Sequence, residues 1–391
     1  MSIDSFVSSV LEERKDQGLF RTLKTLEGAQ DRIVSFNGKK LINFCSNNYL
    51  GLANDPRLKQ AAIKAVEAFG TSSAASRLTC GSFRLHKELE EKIAKFKHSL
   101  SALVFNSGYV ANLGLISSLI QKHGVIFSDR LNHASIVDAI ILSRAHIVRY
   151  NHNDMSQLQD LLEKHKDAKQ KLIVTDTVFS MDGDLADLHR IVNLAEKYHA
   201  SVMVDEAHAT GVLGPNGGGL VEELGLSDKI DIQMGTLSKA LGSFGAFVCA
   251  DENLVQYLIN ASRPFIYTTS LPAAVLAASI KAIEIIQKEP QQRQRLWGNI
   301  RFIKQGLADM GLGPLNSSSA IIPILTKENE LTMEFSQRLF DRGIFIQGIR
   351  PPTVPKDQAR LRLTVIASHT REDLERALAA IKKTAKELRL I

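Results

Sequence analysis

Ser201-Val-Met-Val-Asp205-Glu-Ala-His208 is an apolar run that ends in an aspartate, with a histidine three residues further on. A second apolar run, Ile230-Asp-Ile-Gln-Met234, leads into Thr236-Leu-Ser-Lys239, with Ala240-Leu-Gly242 behind it. Outward from these two segments, residues 100–250 alternate short apolar stretches with helix-length patterns. Stretches 100–105, 125–128, 146–150, 172–177, 202–205, 232–235 and 246–250 read as strands, and 133–144, 154–167 and 185–199 as helices. Continuous apolar strands alternating with helices predict an α/β fold, a mostly parallel seven-stranded sheet covered by helices on both faces. Ligands bind such sheets at the carboxyl ends of the strands. Asn106-Ser-Gly-Tyr109, 176–180, 205–208 and 236–239 all fall at such ends, and that convergence predicts a site.

The flanks read differently. Residues 1–20 carry Ile3, Phe6, Val7, Val10 and Leu11 at helical spacing, ending at Gly18. Residues 32–44 read as a hairpin turning at Asn37-Gly38, and 56–69 as a helix opened by Pro56. Beyond about 285 the pattern becomes helix 290–310, strand 320–325, helix 330–342, strands 344–349 and 361–367, and helix 370–388. The expected organisation is an N-terminal helix and hairpin segment (1–49), a large domain (50–285) and a smaller α+β C-terminal domain (286–391).

Composition excludes several classes. A chain of 391 residues with 44% hydrophobic content can bury a large core without disulfide staples. Cys45, Cys80 and Cys249 are odd in number and lack metal spacing, so they read as free thiols in a reducing cytoplasm, and no metal site is expected. The net charge of +6 is scattered; Lys164-His-Lys166 and Lys382-Lys383 lie on solvated helix faces, so no nucleic-acid partner is expected. The start, Met1-Ser-Ile-Asp-Ser5, lacks a basic then apolar leader, and no apolar run approaches the ~20 residues of a membrane span. The longest run, around 136–142, is interrupted by Asp138 and fits a core-facing helix.

Each motif has a bland reading beside a chemical one. Asn106-Ser-Gly-Tyr109 joins a strand to a helix; its exposed N–H groups suit a phosphate, but it also reads as a plain turn. Gly214-Pro-Asn-Gly-Gly-Gly219 is neither a dinucleotide fingerprint nor a P-loop, and reads as a flexible connection. His208 and His133 alone read equally as structural histidines. Lys239, set among Leu237, Ala240 and Leu241, is expected to be partly desolvated. Asp205 at the end of a Val-Met-Val run is costly unless it meets a cation. Together, a lysine for a Schiff base, an aspartate for a pyridinium nitrogen and a nearby histidine are what pyridoxal 5'-phosphate (PLP) chemistry needs.

With these residues in view, the whole chain resembles the α-oxoamine synthases, PLP-dependent acyl-CoA:amino acid C-acyltransferases of fold type I. The markers are Asn47-Asn-Tyr-Leu-Gly51, Ser76-Arg77, Asn106-Ser-Gly-Tyr109, Asn132-His133, Val178-Phe-Ser-Met-Asp-Gly183, Asp205-Glu-Ala-His208 and Thr236-Leu-Ser-Lys239. The resemblance implies that Lys239 carries the Schiff base, Asp205 pairs the pyridine nitrogen, His208 the phenolic oxygen, and His133 stacks on the ring. It implies that Gly108, Tyr109, Ser180 and Thr236 hold the cofactor, and that Thr268 and Thr269 reach the phosphate of a neighbouring subunit in a homodimer with shared active sites. Arg362 would bind the amino acid carboxylate, with Arg21, Asn47, Ser76, His133 and Thr353 lining the substrate pocket. Arg350-Pro-Pro-Thr-Val-Pro355, Arg360-Leu-Arg362 and Thr268-Thr-Ser270 point, within the family, to condensation of L-alanine with pimeloyl-CoA or a pimeloyl carrier protein in the biotin pathway. The alternative is condensation of glycine with acetyl-CoA.

Overall fold

The computed structural model describes residues 2–120, 122–313 and 316–391. Met1, the first residue of the expected 1–20 helix, lies outside them. That helix runs Ile3–Asp16, with the Ser2 side chain accepting from the Ser5 N–H at its start, and Ile3, Phe6, Val7 and Leu11 stay exposed. Strands β1 (Ile33–Phe36) and β2 (Lys39–Asn43) pair antiparallel. Asn37 (φ 47°) and Gly38 (φ 73°) make their turn, the two positive angles that an Asn-Gly hairpin demands.

One structural unit comprises Asn48–Ser180 and Asp184–Gln294. Its sheet is built from β3 (Ser101–Phe105), β4 (Val125–Asp129), β5 (His146–Tyr150), β6 (Lys171–Asp176), β7 (Ser201–Asp205), β8 (Ile232–Thr236) and β9 (Ala246–Ala250). The order is β3-β9-β8-β7-β6-β4-β5, seven strands as the alternating pattern predicts. Only β9 runs antiparallel to its neighbours, with Phe105 opposite Ala246 and Thr236 opposite Ala246. The carboxyl ends of β3, β4, β6, β7 and β8 therefore share one edge. Every residue of β4, β8 and β9 is buried, because helices cover both faces and leave no solvent side for polar alternation. Helix Gly108–Leu119 packs on Ala134–Ser143, and their apolar residues close over Ile126, Val174, Met203 and Met234. Helix Ala273–Lys288 packs along Pro56–Phe69, whose start is fixed by the Asp55 side chain accepting from the Arg57 N–H. Ile141 and Leu142, in the 136–142 run, face outward, since a ten-residue helix turns only part of its surface to the core.

The other unit comprises Met1–Asn47, Met181–Gly183 and Arg295–Ile391. The sequence set 1–49 apart as a segment of its own; residues 1–47 instead cluster with the C-terminal part of the chain. The reason is pairing: β11 (Ile344–Phe345) adds parallel to β2. β10 (Ile321–Lys327), β12 (Gln347–Ile349) and β13 (Ala359–Thr364) form a second sheet, ordered β10-β13-β12. The single strand expected over 344–349 is thus two short strands serving two different sheets. Helices Asn329–Asp341 and Arg371–Glu387 flank these strands, the latter closed by a capping box of Thr370 and Asp373.

Cys45, Cys80 and Cys249 are unpaired, and burial pushes the thiols of Cys45 and Cys249 up to about 12. Among the described residues no helix is long and apolar enough to cross a membrane, and no three His, Cys, Asp or Glu side chains are grouped to hold a metal ion.

Candidate active site

At the shared strand edge, β8 ends in Thr236 and the chain turns sharply through Lys239. The turn is tied down by its own backbone: Leu237 N–H donates to Gly245 O at 2.9 Å, Ser243 N–H to Leu237 O at 3.0 Å, and Gly242 N–H to Lys239 O at 3.0 Å. Gly242 has φ +64°, and a Cβ there would meet the Ala53 nitrogen at 2.4 Å, so only glycine fits between the turn and the 52–54 segment. Lys239 is half-buried, and its Nζ lies 2.9 Å from His208 Nε2. His208 Nδ1 lies 2.6 Å from the Tyr49 hydroxyl. His208 thus links Lys239 to Tyr49 through its two ring nitrogens.

Asp205 ends β7, 4% exposed. Its Oδ2 accepts from Asn112 Nδ2 at 3.0 Å and its Oδ1 from the Ala207 N–H at 2.9 Å. Both donors are neutral, and among the described residues no cationic side chain forms an ion pair with this carboxylate. A buried carboxylate held by two neutral donors is best matched by a cation against it. A protonated pyridine nitrogen supplies that cation, so the residues present fit PLP.

The neighbouring strand ends complete the lining. His133 caps helix Ala134–Ser143; its Nδ1 lies 2.8 Å from Ser135 Oγ and accepts from the Ser135 N–H at 3.2 Å. Burial lowers its pKa, the Asp205 charge opposes that, and the Lys239 charge adds to it. The His133 backbone N–H donates to Asp176 Oδ2 at 2.7 Å. Asp176 lies opposite Asp205 across β6 and β7, and burial together with the Asp205 charge raises its pKa well above the carboxylate range. Ser107 caps helix Gly108–Leu119, whose first-turn N–H groups at Gly108 and Tyr109 point off its end. A Cβ at Gly108 would find only the Met234 methyl, 3.9 Å away, so the space beside it is open to a ligand. Tyr109 donates its hydroxyl to Asp138. Thr236 Oγ1 donates to Gly245 O at 2.9 Å and contacts Ser238 Oγ at 2.7 Å. Ser180 is half-buried in the loop after β6.

Thr268 and Thr269 are gathered at the end of β3, where Asn106 Nδ2 donates to Thr268 Oγ1 at 3.1 Å and to Thr269 O at 2.7 Å. Ser76 sits in a turn, its Oγ 3.4 Å from Thr79 Oγ1. The remaining expected substrate residues belong to the other unit. There Arg362, on β13 and 8% exposed, donates to Thr364 Oγ1 at 3.1 Å and Asn47 Oδ1 at 3.2 Å. Its strand neighbour Arg360 is instead committed to Asp182 at 2.5 Å. Arg21 Nη2 donates to Thr353 Oγ1 at 3.3 Å.

Three participants carried no role in the sequence reading. Tyr49 lay inside a recognised motif. Asn112 was visible as the one amide side chain of helix Gly108–Leu119. Glu206 was masked by its neighbour Asp205, and with it went the Gly214–Gly219 loop. That loop is not a slack connection. Gly218 O accepts from buried Lys97, Gly218 N–H donates to Glu222 at 2.7 Å, and a Cβ on Gly219 would lie 2.4 Å from Glu206 Oε2.

The architecture is the fold of PLP enzymes of fold type I. Residues 39–381 match the family model for aminotransferase class I and II. The 8-amino-7-oxononanoate synthase of Geobacter sulfurreducens is 50% identical over 98% of this chain and 99% of its own. A serine palmitoyltransferase from S. paucimobilis with bound PLP-myriocin aldimine superposes with a TM-score of 0.95 at 33% identity, covering all of both chains. The 8-amino-7-oxononanoate synthase of Francisella tularensis gives 0.78 at 33% identity, over 90% of this chain and 99% of that one. The chain belongs to the aminotransferase class I and II family, and within it to the α-oxoamine synthases.

Proposed function

We propose that the chain condenses L-alanine with a pimeloyl thioester, carried by CoA or a carrier protein, to give 8-amino-7-oxononanoate, CO2 and the free thiol. It does so as a PLP-dependent, cytoplasmic homodimer serving biotin biosynthesis. The observation that carries this reading is the buried, cation-less Asp205 carboxylate beside the Lys239–His208–Tyr49 line, in a chain 50% identical to a synthase of that name.

PLP, when bound, is tethered through Lys239 and supplies the electron sink that labilises the bonds at Cα of the amino acid. Asp205 keeps the ring nitrogen protonated, with Asn112 and the Ala207 N–H fixing the carboxylate. His208 would meet the phenolic oxygen of the cofactor, and the His133 ring would cover one face of it. The N–H groups of Gly108 and Tyr109, with the Ser180 and Thr236 hydroxyls, would hold the phosphate at a helix start. Thr268 and Thr269 of a second copy complete that cradle. Arg362 binds the carboxylate of alanine through its guanidinium fork, and Arg21, Asn47, Ser76 and Thr353 line the acyl side. The Lys239 amine, held at its Nζ beside His208 Nε2, would take the Cα proton of the amino acid. The new C–C bond forms to the thioester carbonyl as the thiolate leaves, the original carboxylate departs as CO2, and a proton returns to Cα.

The test is thiol release and product mass with L-alanine plus pimeloyl-CoA, beside glycine plus acetyl-CoA. Turnover of the first pair is expected. Turnover of the second pair alone would refute the reading.

A further inference from the structure

Outside the residues already assigned, a histidine lies between two carboxylates. His152, just past the end of β5, has Nδ1 3.1 Å from Asp129 Oδ1 and 3.3 Å from Asp129 Oδ2. Its Nε2 lies 2.6 Å from Asp184 Oδ2. An imidazole that donates from both nitrogens is an imidazolium. Burial works against that charge, but the hydrogen bonds and charges of Asp129 and Asp184 outweigh it and push the pKa up to about 10. The Phe179 ring stands edge-on to the imidazole at 4.3 Å, and the buried phenol of Tyr150 feels the charge of Asp129.

Each carboxylate controls a loop. Asp129 ends β4, and its Oδ1 accepts from the Leu131 N–H at 2.8 Å while its carbonyl accepts from the Asn132 N–H at 3.2 Å. Those two residues lead directly into His133. Asp184 closes the turn after β6: its carbonyl accepts from the Phe179 N–H at 3.1 Å, and Val178 bridges Leu185. Ser180 sits inside that turn. Asn153, next to the histidine, repeats the link, taking Asp129 Oδ2 with its N–H at 2.9 Å and Leu185 O with its side chain at 2.9 Å.

We propose that His152, clamped between Asp129 and Asp184, is a positioning residue that locks the His133 loop and the Ser180 loop against each other around the cofactor. The inference rests on the proposed function, which places His133 on the ring and Ser180 at the phosphate. His152 touches neither cofactor nor substrate; it acts through the two loops.

The experiment measures PLP affinity of the full-length protein by visible absorbance, and the induced circular dichroism of the bound cofactor, in wild type, His152→Gln and His152→Arg. Glutamine is neutral and leaves the two carboxylates facing each other. Arginine restores a cation with donors on two sides. A loosened site is expected to raise the PLP dissociation constant of His152→Gln by roughly 10- to 100-fold, with a weaker induced band at saturation. His152→Arg is expected to recover most of both. Equal affinity and equal induced signal in wild type and His152→Gln would overturn the inference. So would a loss that tracks a fall in melting temperature and is not recovered by arginine. A wild-type protein that takes up no PLP would instead overturn the proposed function.

Discussion

Removing the ammonium of Lys97 should cost far more than its place at a helix end suggests. Lys97 is 2% exposed and Glu206 0%. The ammonium donates to Glu206 Oε2 and to the Gly218 carbonyl, while Glu206 Oε1 accepts from the Val221 N–H at 3.0 Å. Lys97→Met keeps the length and apolar stem but leaves a buried carboxylate with one amide donor and a carbonyl with none. Breaking a buried pair by removing one partner costs about 3–5 kcal/mol. Removing both charges is a different matter. Lys97→Met/Glu206→Gln keeps an acceptor for Val221 and buries no charge, so it should return to within about 1–2 kcal/mol of wild type. The assay is urea unfolding followed by far-ultraviolet circular dichroism on wild type, both single variants and the double. The reasoning is refuted if Lys97→Met loses less than about 1 kcal/mol, or if the double variant is as unstable as the single.

Other outcomes follow from the same structure. Asp205→Asn removes a carboxylate already held by neutral donors, so the fold should persist while kcat falls by up to about three orders of magnitude, the ~4 kcal/mol of a close charge pair at an effective dielectric near 20; steady-state kinetics at saturating PLP measures this. Arg362→Ala should raise the KM for the amino acid roughly 10- to 100-fold, as the loss of a charge-assisted hydrogen bond of about 1.5–3 kcal/mol predicts, with a smaller change for the thioester. For His152 the folded pKa of about 10 stands above the unfolded value near 6.5. The stability it contributes is therefore complete below about pH 6.5 and lost as pH rises through about 10. Unfolding midpoints should fall across that window in wild type, and His152→Gln should show a flatter profile.

The large sheet was legible because parallel, doubly covered strands write themselves as continuous apolar runs. All seven strands of the sheet were found, and the Asn37-Gly38 turn was explicit. The polar groups at strand ends were legible for the same reason, since Asp205 and Lys239 are conspicuous beside such runs. What was hidden depends on contacts distant in sequence. Nothing local announces that Lys97 meets Glu206 109 positions later. The glycines at 214–219 looked slack because sequence records missing side chains, not the carboxylate that leaves no room for them. Strand 344–349 looked continuous because Ile344, Phe345, Ile346 and Ile349 frame it as one apolar stretch, although Ile344 pairs with Ile42 and Gln347 with Arg362. His152 resembled any polar residue after a strand until Asp129 and Asp184 closed on it from either side.

The most direct test of the central claim is the visible absorbance spectrum of the purified chain with PLP, then with L-alanine, then with pimeloyl-CoA, beside Lys239→Ala. The account predicts a Schiff-base band in wild type that shifts with L-alanine and releases free thiol only after the pimeloyl thioester is added, with no such band in Lys239→Ala before amino acid is supplied. Wild type without the band after PLP is supplied, or Lys239→Ala with the band intact, would contradict it.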